Sequence, residues 1–333
     1  MQQKEKPIIE ITNVIKEFKV PLEKKRTTIE KLKNFFKREE RTIYAVNGIN
    51  LKVDKPEIIG YIGKNGAGKS TTIKLLTGIL QPTTGEISVL GYSPYNQRYD
   101  YTYNIGVVFG ARSLLNWHIP VIESLKLFKE IYEVSDEDFE ERIKYFSKAL
   151  NIDELLPIQT RKLSLGQRMK CNIVASLLHN PKVLFLDEPT IGLDMFAKSA
   201  IRDFLKEIHK KYNTTIILTT HDLDDIEELC SRVVIIDNGK IIYDDNITKL
   251  KKTFSLGKLV RCSYGRVIGK DLLSNLLNSE KIIIHKDNIL EVELRENTDI
   301  GDFINLLNKC VSIIDINISD PDLEYIIRKI YSK

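Results

Sequence analysis

The chain has few cysteines and no long hydrophobic run, and both features limit the classes of protein to which it can belong. No apolar run in its 333 residues approaches the roughly 20 residues that a membrane-spanning helix needs. The cysteines lack the close spacing of a metal site. Met1–Lys6 lead directly into the strand-like Ile8–Ile11, so we expect no secretory signal and a cytosolic chain with reduced thiols. The four cysteines are Cys171, Cys230, Cys262 and Cys310.

A globally basic surface is also missing. The net charge is +4, and residues 19–41 alone hold nine Lys or Arg and four Glu, a net charge of +5 that leaves the remainder at −1. Nucleic-acid binders carry a basic face on the folded domain. We therefore expect no nucleic-acid partner, and a nearly neutral globular protein with one basic insert at about 19–42.

Within this basic insert, apolar residues recur at helical spacing. They predict an amphipathic helix with a basic opposite face. Such a helix rests either on anionic lipid or a membrane partner, or on its own domain. The apolar residues are Ile29, Leu32, Phe35 and Phe36.

A glycine-rich segment lies between a strand pattern at 58–62 and a helical pattern at 72–76. Residues 63–70 read GKNGAGKS, which fits the phosphate-binding loop G-x-x-x-x-G-K-[ST] in the context that this motif requires. Glycines let backbone N–H groups surround phosphate oxygens, and the helix N-terminus adds unpaired N–H groups. Lys69 can reach the β- and γ-phosphates, and Ser70 can bind Mg²⁺. The predicted nucleotide-binding residues here are Gly63, Lys64, Asn65, Gly66, Ala67, Gly68, Lys69, Ser70 and Thr71.

Two adjacent carboxylates end a second apolar run. Val183–Leu186 is suited to a buried parallel strand, and Asp187 and Glu188 follow at its C-terminal end, where ligands bind in open α/β sheets. Asp187 is predicted to help hold Mg²⁺, and Glu188 to polarise the water that attacks the γ-phosphate. The alternative is solvated surface charge, against which Pro189 and the loop 190–194 argue.

These motifs resemble those of the ATP-binding-cassette ATPases in order and spacing. Residues 163–167 read LSLGQ, similar to the family's LSGGQ signature, with Leu165 where glycine is usual. His221 follows the strand pattern 216–220, where the family places its switch histidine. The resemblance covers residues 8–245. It implies an α/β fold, namely a RecA-like P-loop ATPase core with an antiparallel β subdomain and a helical subdomain at about 112–178.

The resemblance implies domain boundaries only in part. We predict an ATPase domain over 1–248. After about residue 250 the pattern changes to a βαββαβ order, which is that of a ferredoxin-like domain. We therefore predict a small α+β domain over 249–333.

The resemblance also implies a mechanism with two cassettes. They are expected to pair head to tail with ATP and Mg²⁺ between them, so that Ser164 and Gly166 of one subunit bind the γ-phosphate held by Lys69 of the other. Asp194 would lie at the subunit contact. The near-complete site favours a homodimer, with a heterodimer as the alternative. The four signature residues implied are Ser164, Leu165, Gly166 and Gln167.

Two further roles follow from the resemblance. Glu188 and His221 are the implied catalytic pair, with His221 orienting the γ-phosphate and the water. Phe18 is implied to stack on the adenine, and Tyr44 is the alternative.

The family glutamine that contacts Mg²⁺ is missing. Ala111 occupies its expected place, or alternatively Gly110 does. Because an alanine side chain cannot bind a metal, either coupling differs or a neighbour such as Arg112 or Asn116 takes another role.

The stretches VVFGARS and SLGQRMKC and the ending Asp320–Glu324 resemble subunits of type-two exporters. We therefore expect an ATP-hydrolysing subunit that powers a separate integral membrane permease, bound peripherally at the cytoplasmic face of the membrane. One alternative is a soluble cassette ATPase acting on ribosomes or DNA, although such relatives carry two cassettes or a long coiled coil. Another is a regulatory role in which the C-terminal domain senses a small ligand.

Overall fold

A computed structural model describes residues 6–21, 40–110, 112–254, 257–269, 271, 273, 281–294 and 298–331. The predicted helix of the basic insert and Ala111 lie outside these ranges. The chain divides into two compact units, Met1–Asp245 and Asn246–Lys333.

The first unit contains nine described strands in two sheets. They are β1 (Ile9–Pro21), β2 (Glu40–Val53), β3 (Ile58–Gly63), β4 (Thr84–Val89), β5 (Ile105–Phe109), β6 (Val183–Asp187), β7 (Thr215–Thr219), β8 (Arg232–Asp237) and β9 (Lys240–Asn246). The larger sheet has the order β5-β6-β7-β3-β8-β9, and its first five strands are mutually parallel. Continuous apolar runs such as Val183–Leu186 suit this sheet because all four of these residues are fully buried, so both faces of the strand are covered.

The register of the parallel sheet determines which residues meet at its carboxyl edge. Thr219 on β7 lies opposite Asp187 on β6 and opposite Tyr61 on β3. The phosphate loop, the acidic pair and His221 therefore leave neighbouring strands at one edge.

The smaller sheet of the first unit is antiparallel, with the order β2-β1-β4. β1 pairs with β2 from Ile9↔Val53 to Pro21↔Glu40, whereas β4 accompanies β1 only as far as Ile15. The far end of the β1–β2 pair is therefore a two-stranded ribbon among the described residues.

The first unit has seven described α-helices and two 3-10 helices, Asp153–Leu155 and Thr160–Lys162. The α-helices are α1 (Lys69–Leu76), α2 (Arg98–Thr102), α3 (Val121–Ile131), α4 (Asp136–Leu150), α5 (Leu165–Leu177), α6 (Met195–Tyr212) and α7 (Leu223–Leu229). Local sequence explains their ends. In α4 the Ser135 hydroxyl accepts from the backbone N–H of Asp138, and Asn151 ends the helix in the left-handed conformation.

The second unit has an antiparallel sheet in the order β11-β12-β10-β13. This order and the intervening α9 match the ferredoxin-like pattern predicted from the sequence. The described elements are α8 (Ile247–Phe254), β10 (Leu259–Val267), β11 (Lys281–Lys286), β12 (Ile289–Glu293), α9 (Ile300–Cys310), β13 (Val311–Ser319) and α10 (Leu323–Tyr331). A buried ion pair joins α10 to β12, with Lys329 Nζ 2.7 Å from Glu293 Oε1.

Across the described ranges, no helix combines the length and the apolar character needed to cross a bilayer.

The helix that follows the phosphate loop ends at a glycine. Gly78 has a φ of +71°, and its N–H donates to Leu75 O at 3.1 Å while Ile79 N–H donates to Lys74 O at 2.9 Å. A Cβ at Gly78 would lie 2.2 Å from Pro94 O, so the backbone of residue 94 occupies the space of a side chain. This contact holds the C-terminus of α1 against the segment after β4.

Gly78→Ala is expected to destabilise the chain beyond the cost of backbone strain. Left-handed alanine costs about 1 kcal/mol, and the overlap with Pro94 O adds about 1–3 kcal/mol. Urea unfolding followed by the fluorescence of Trp117, the chain's one tryptophan, measures the change in the free energy of unfolding. Gly91→Ala is the matched control, because Gly91 has a φ of +82° and open space around it. Equal losses from the two variants would contradict the steric argument.

Candidate functional site

The phosphate loop lies between β3 and α1 with its glycines in conformations that other residues rarely adopt. Gly66 and Gly68 have φ values of +79° and +111°. A Cβ at Gly68 would lie 2.3 Å from Ala45 O, so the loop packs directly on the β2 backbone. Gly68 is the N-cap of α1, which places the helix N-terminus where the motif predicts it.

The turn that follows β8, the strand paired in parallel with β3, supports this loop. Gly239 N–H donates to Ala67 O at 3.0 Å, and Asn47 N–H donates to Gly239 O at 2.8 Å. Asn238 and Gly239 form the two-residue connection of β8 and β9, both with positive φ, as in a type I′ turn. An Asn-Gly pair between two apolar runs is typical of a hairpin, but nothing local in the sequence indicates that its backbone holds the phosphate loop.

Lys69 is buried and held over the loop. Its Nζ donates to Gly63 O at 2.7 Å and to Lys64 O at 3.3 Å. Burial lowers the pKa of the Lys69 ammonium, and the Coulomb attraction of Glu188 and Asp187 opposes this shift. An ammonium has three donors, so Lys69 can bind the loop carbonyls and still donate to a phosphate oxygen.

Asp187 connects the acidic strand end to the start of α1 and to β7. Its Oδ1 accepts from Thr219 Oγ1 at 2.6 Å and from Ser70 Oγ at 3.2 Å. The structure thus brings the two predicted metal ligands together. Mg²⁺ prefers oxygen ligands and commonly takes one or two from protein, with water and substrate phosphates supplying the rest. The hydroxyl and carboxylate therefore fit Mg²⁺ bound together with a nucleotide.

The predicted catalytic pair is in direct contact. Glu188 Oε1 lies 2.7 Å from His221 Nε2, and both side chains are partly exposed. Glu188 N–H donates to Thr219 O at 2.9 Å, and Glu188 has a φ of +56°, which is uncommon for glutamate. This contact places a carboxylate and an imidazole side by side at the carboxyl edge of the sheet, next to the strand that leads into the phosphate loop.

The loop after β5 packs on the backbone of this strand end. Gly110 N–H donates to Asp187 O at 2.7 Å, and a Cβ at Gly110 would lie 2.5 Å from Glu188 O. Ala111, the first choice for the family glutamine position, lies outside the described residues. Asn116 uses its side-chain oxygen locally, accepting from His118 N–H at 3.1 Å.

The signature segment forms the N-terminus of α5. Ser164 Oγ accepts from Gln167 N–H at 3.2 Å, and Gln167 Oε1 accepts from Ser164 N–H at 2.9 Å, which is a capping box. A Cβ at Gly192 would lie 3.1 Å from Leu165 Cδ2. Leu165, the departure from the family pattern, therefore lies against the loop that follows Glu188.

The structure shows contacts of Asp194 and Phe18 with residues close to each of them in the chain. Asp194 Oδ1 accepts from Ala197 N–H at 2.8 Å and caps α6. Phe18 lies on the β1–β2 ribbon, and the Lys16 Nζ atom is 5.3 Å from the centroid of the Phe18 ring. Phe18 pairs with Ile43, and Tyr44 pairs with the preceding Glu17, so the two candidate aromatic side chains lie on opposite faces of the ribbon.

Comparison with known proteins supports one family. Residues 46–191 match the family model described as ABC transporter. Over 208 residues the chain is 30% identical to the ABC transporter ATP-binding protein NatA of Bacillus subtilis, covering 62% of this chain and 84% of that protein. It is 33% identical over 222 residues to the methionine import ATP-binding protein MetN of Halalkalibacterium halodurans, covering 65% of each.

A solved dimeric structure of the ATP-binding cassette MJ0796, in a post-hydrolysis state bound to ADP and Pi, has a similar fold. It superposes with a TM-score of 0.60 at 22% identity, covering 72% of this chain and 98% of that one. The predicted fold class, a RecA-like P-loop core with antiparallel and helical subdomains, is confirmed.

Lys69→Met is expected to weaken ATP binding about 10- to 100-fold, because charge-assisted hydrogen bonds to phosphate are lost. Isothermal titration with ATP measures the dissociation constant. Lys74→Met is the matched control, because Lys74 is an exposed lysine in the last turn of α1, outside the phosphate loop. Equal ATP affinities of the Lys69 variant and the wild-type chain would show that the Lys69 side chain does not bind the nucleotide.

Proposed function

The chain belongs to the ABC transporter family as an ATP-binding and ATP-hydrolysing subunit, and we propose that it powers a separate membrane permease from the Glu188–His221 site. The contact between Glu188 and His221 at 2.7 Å, next to the phosphate loop, is the observation that carries this proposal. It provides a base and an orienting group at the place where a γ-phosphate would lie.

In the proposed mechanism the loop N–H groups and Lys69 bind the β- and γ-phosphates. Glu188 polarises the attacking water and His221 orients it. Ser70 and Asp187 would hold Mg²⁺, which when bound neutralises charge on the phosphates. Phe18 would stack on the adenine, with Tyr44 as the alternative.

We propose that two copies pair, so that Ser164 and Gly166 of one complete the site of the other. An exposed apolar patch beside the signature segment supports this pairing. Ile191, Met195 and Phe196 expose 53%, 71% and 81% of their surface, and the adjoining Leu165 exposes 38%. The cassette MJ0796, which has a similar fold, is dimeric, and this supports pairing of two copies.

Export is the proposed direction of transport. Relatives at similar identity include NatA and a methionine import protein, so membership of the family does not by itself imply export. The support for export is the resemblance of the VVFGARS and SLGQRMKC stretches to type-two exporter subunits. We propose a peripheral position at the cytoplasmic face of the membrane, where ATP is available.

The proposed permease contact is an apolar groove of about 200 Å³ between β5 and α3. Phe128 and Tyr132 stack along one side of it, and Ile79, 41% exposed, lies on the other. Leu127 and Ile131 extend the apolar surface along α3. Exposed apolar surface of this extent on a family member that works with permeases favours a protein partner.

Glu188→Gln is expected to lower ATP turnover by about 10²- to 10⁴-fold, the usual contribution of a general base, with ATP affinity retained. Phosphate release at saturating ATP measures turnover. Asp224→Asn is the control, because Asp224 is a nearby acidic residue that lies outside the site. Normal turnover by the Glu188 variant would show that the base is assigned to the wrong residue.

Permease docking is tested by affinity capture from membranes in mild detergent, using Glu188→Gln with ATP to trap the closed complex. We expect a polytopic membrane protein to co-purify, and Ile79→Glu to lower its recovery about tenfold because a charge enters the apolar groove. Ile242→Glu is the matched control, with 44% of Ile242 exposed on β9. Recovery of ribosomal proteins or nucleic acid alone would favour the soluble alternative.

A further inference from the structure

A single buried carboxylate is bonded to both chain segments that carry the catalytic pair. Asp225 on α7 has no exposed surface. Its Oδ2 accepts from the hydroxyls of Thr190 and Thr220, the latter at 3.1 Å, and its Oδ1 accepts from Arg202 Nη1 at 3.1 Å. The motifs predicted from the sequence do not include this residue.

The two threonines lie next to the catalytic residues in the chain. Thr190 follows Glu188 after Pro189, and Thr190 O accepts from Leu193 N–H at 3.2 Å in the same turn. Thr220 directly precedes His221, and its hydroxyl also accepts from Asp222 N–H at 2.9 Å. Asp225 therefore connects the loop that leaves Glu188 with the strand end that presents His221.

Distortion of this network is opposed because Asp225 and Arg202 are buried and paired with each other. Arg202 on α6 is 7% exposed, and its Nε lies 3.1 Å from Glu228 Oε2, an ion pair without good hydrogen-bond geometry. Moving Asp225 away from either threonine would leave a buried carboxylate short of a donor, which is costly in a low-dielectric interior. Small shifts of one catalytic segment relative to the other are thus opposed.

We propose that Asp225 is a positioning residue for ATP hydrolysis. It acts through Thr190 and Thr220 to keep the Glu188 and His221 side chains in a fixed relative orientation. This inference rests on the proposed catalytic roles of Glu188 and His221. Asp225 does not contact the reacting atoms. Its effect is on the orientation of the pair, and therefore on turnover more than on ATP binding.

The test removes one hydroxyl at a time. Thr190→Val and Thr220→Val keep the side-chain volume and are each expected to lower kcat for ATP about tenfold, with KM within about twofold of the wild type. Thr190→Ser and Thr220→Ser restore the hydroxyl and are expected to recover most of kcat. Thr215→Val is the matched control. Thr215 is buried on β7, the strand that ends just before Thr220, and its hydroxyl has no hydrogen-bond partner among the described residues.

A double-mutant cycle distinguishes positioning from a general structural role. In a His221→Ala background, measured by single-turnover hydrolysis, Thr220→Val is expected to cause little further loss, because the group that it positions is already missing. Wild-type kcat in both valine variants would overturn the proposal. So would fully additive losses of turnover from Thr220→Val and His221→Ala, or serine variants whose kcat stays as low as that of the valine variants. Normal turnover of His221→Ala and Glu188→Gln themselves would instead refute the proposed catalytic site.

Discussion

The Asp187 carboxylate is the contact on which the rest of the site depends. One oxygen accepts from both Ser70 at the start of α1 and Thr219 at the end of β7. The same Thr219 is opposite Asp187 and Tyr61 in the sheet register. The phosphate loop, the acidic strand end and the histidine strand are therefore aligned by one side chain and the parallel pairing around it, so an error in register would displace all three.

Charge balance explains why these groups can remain at a partly buried edge. Burial disfavours the charged form of Lys69, whereas Asp187 and Glu188 favour it. The ammonium in turn reduces the cost of two neighbouring carboxylates. A bound nucleotide adds negative charge to this cluster. That charge is balanced by the N–H donors of the phosphate loop, by the Lys69 ammonium and by a bound cation. The contact of Glu188 with His221 keeps the base beside this cluster of charge.

Some of the site could be predicted because its signals are short and contiguous. The glycine spacing of residues 63–70 and the apolar run before Asp187 encode local geometry that needs little tertiary information. Gly239 and Asp225 could not be found in this way. Asp225 belongs to the acidic run of residues 222–228, and no feature of that run separates the one buried carboxylate from its exposed neighbours.

The sequence by itself determined the phosphate loop and the identity of the acidic pair, because strand periodicity and glycine chemistry act over a few residues. It implied the fold class through the resemblance of these motifs to a known family. Only the tertiary structure decided that Asn238-Gly239 holds the loop, that Leu165 packs on Gly192, and that Asp225 joins the Glu188 and His221 segments. Each of these contacts connects residues far apart in the chain, and strand order and register, which local pattern does not specify, bring them together.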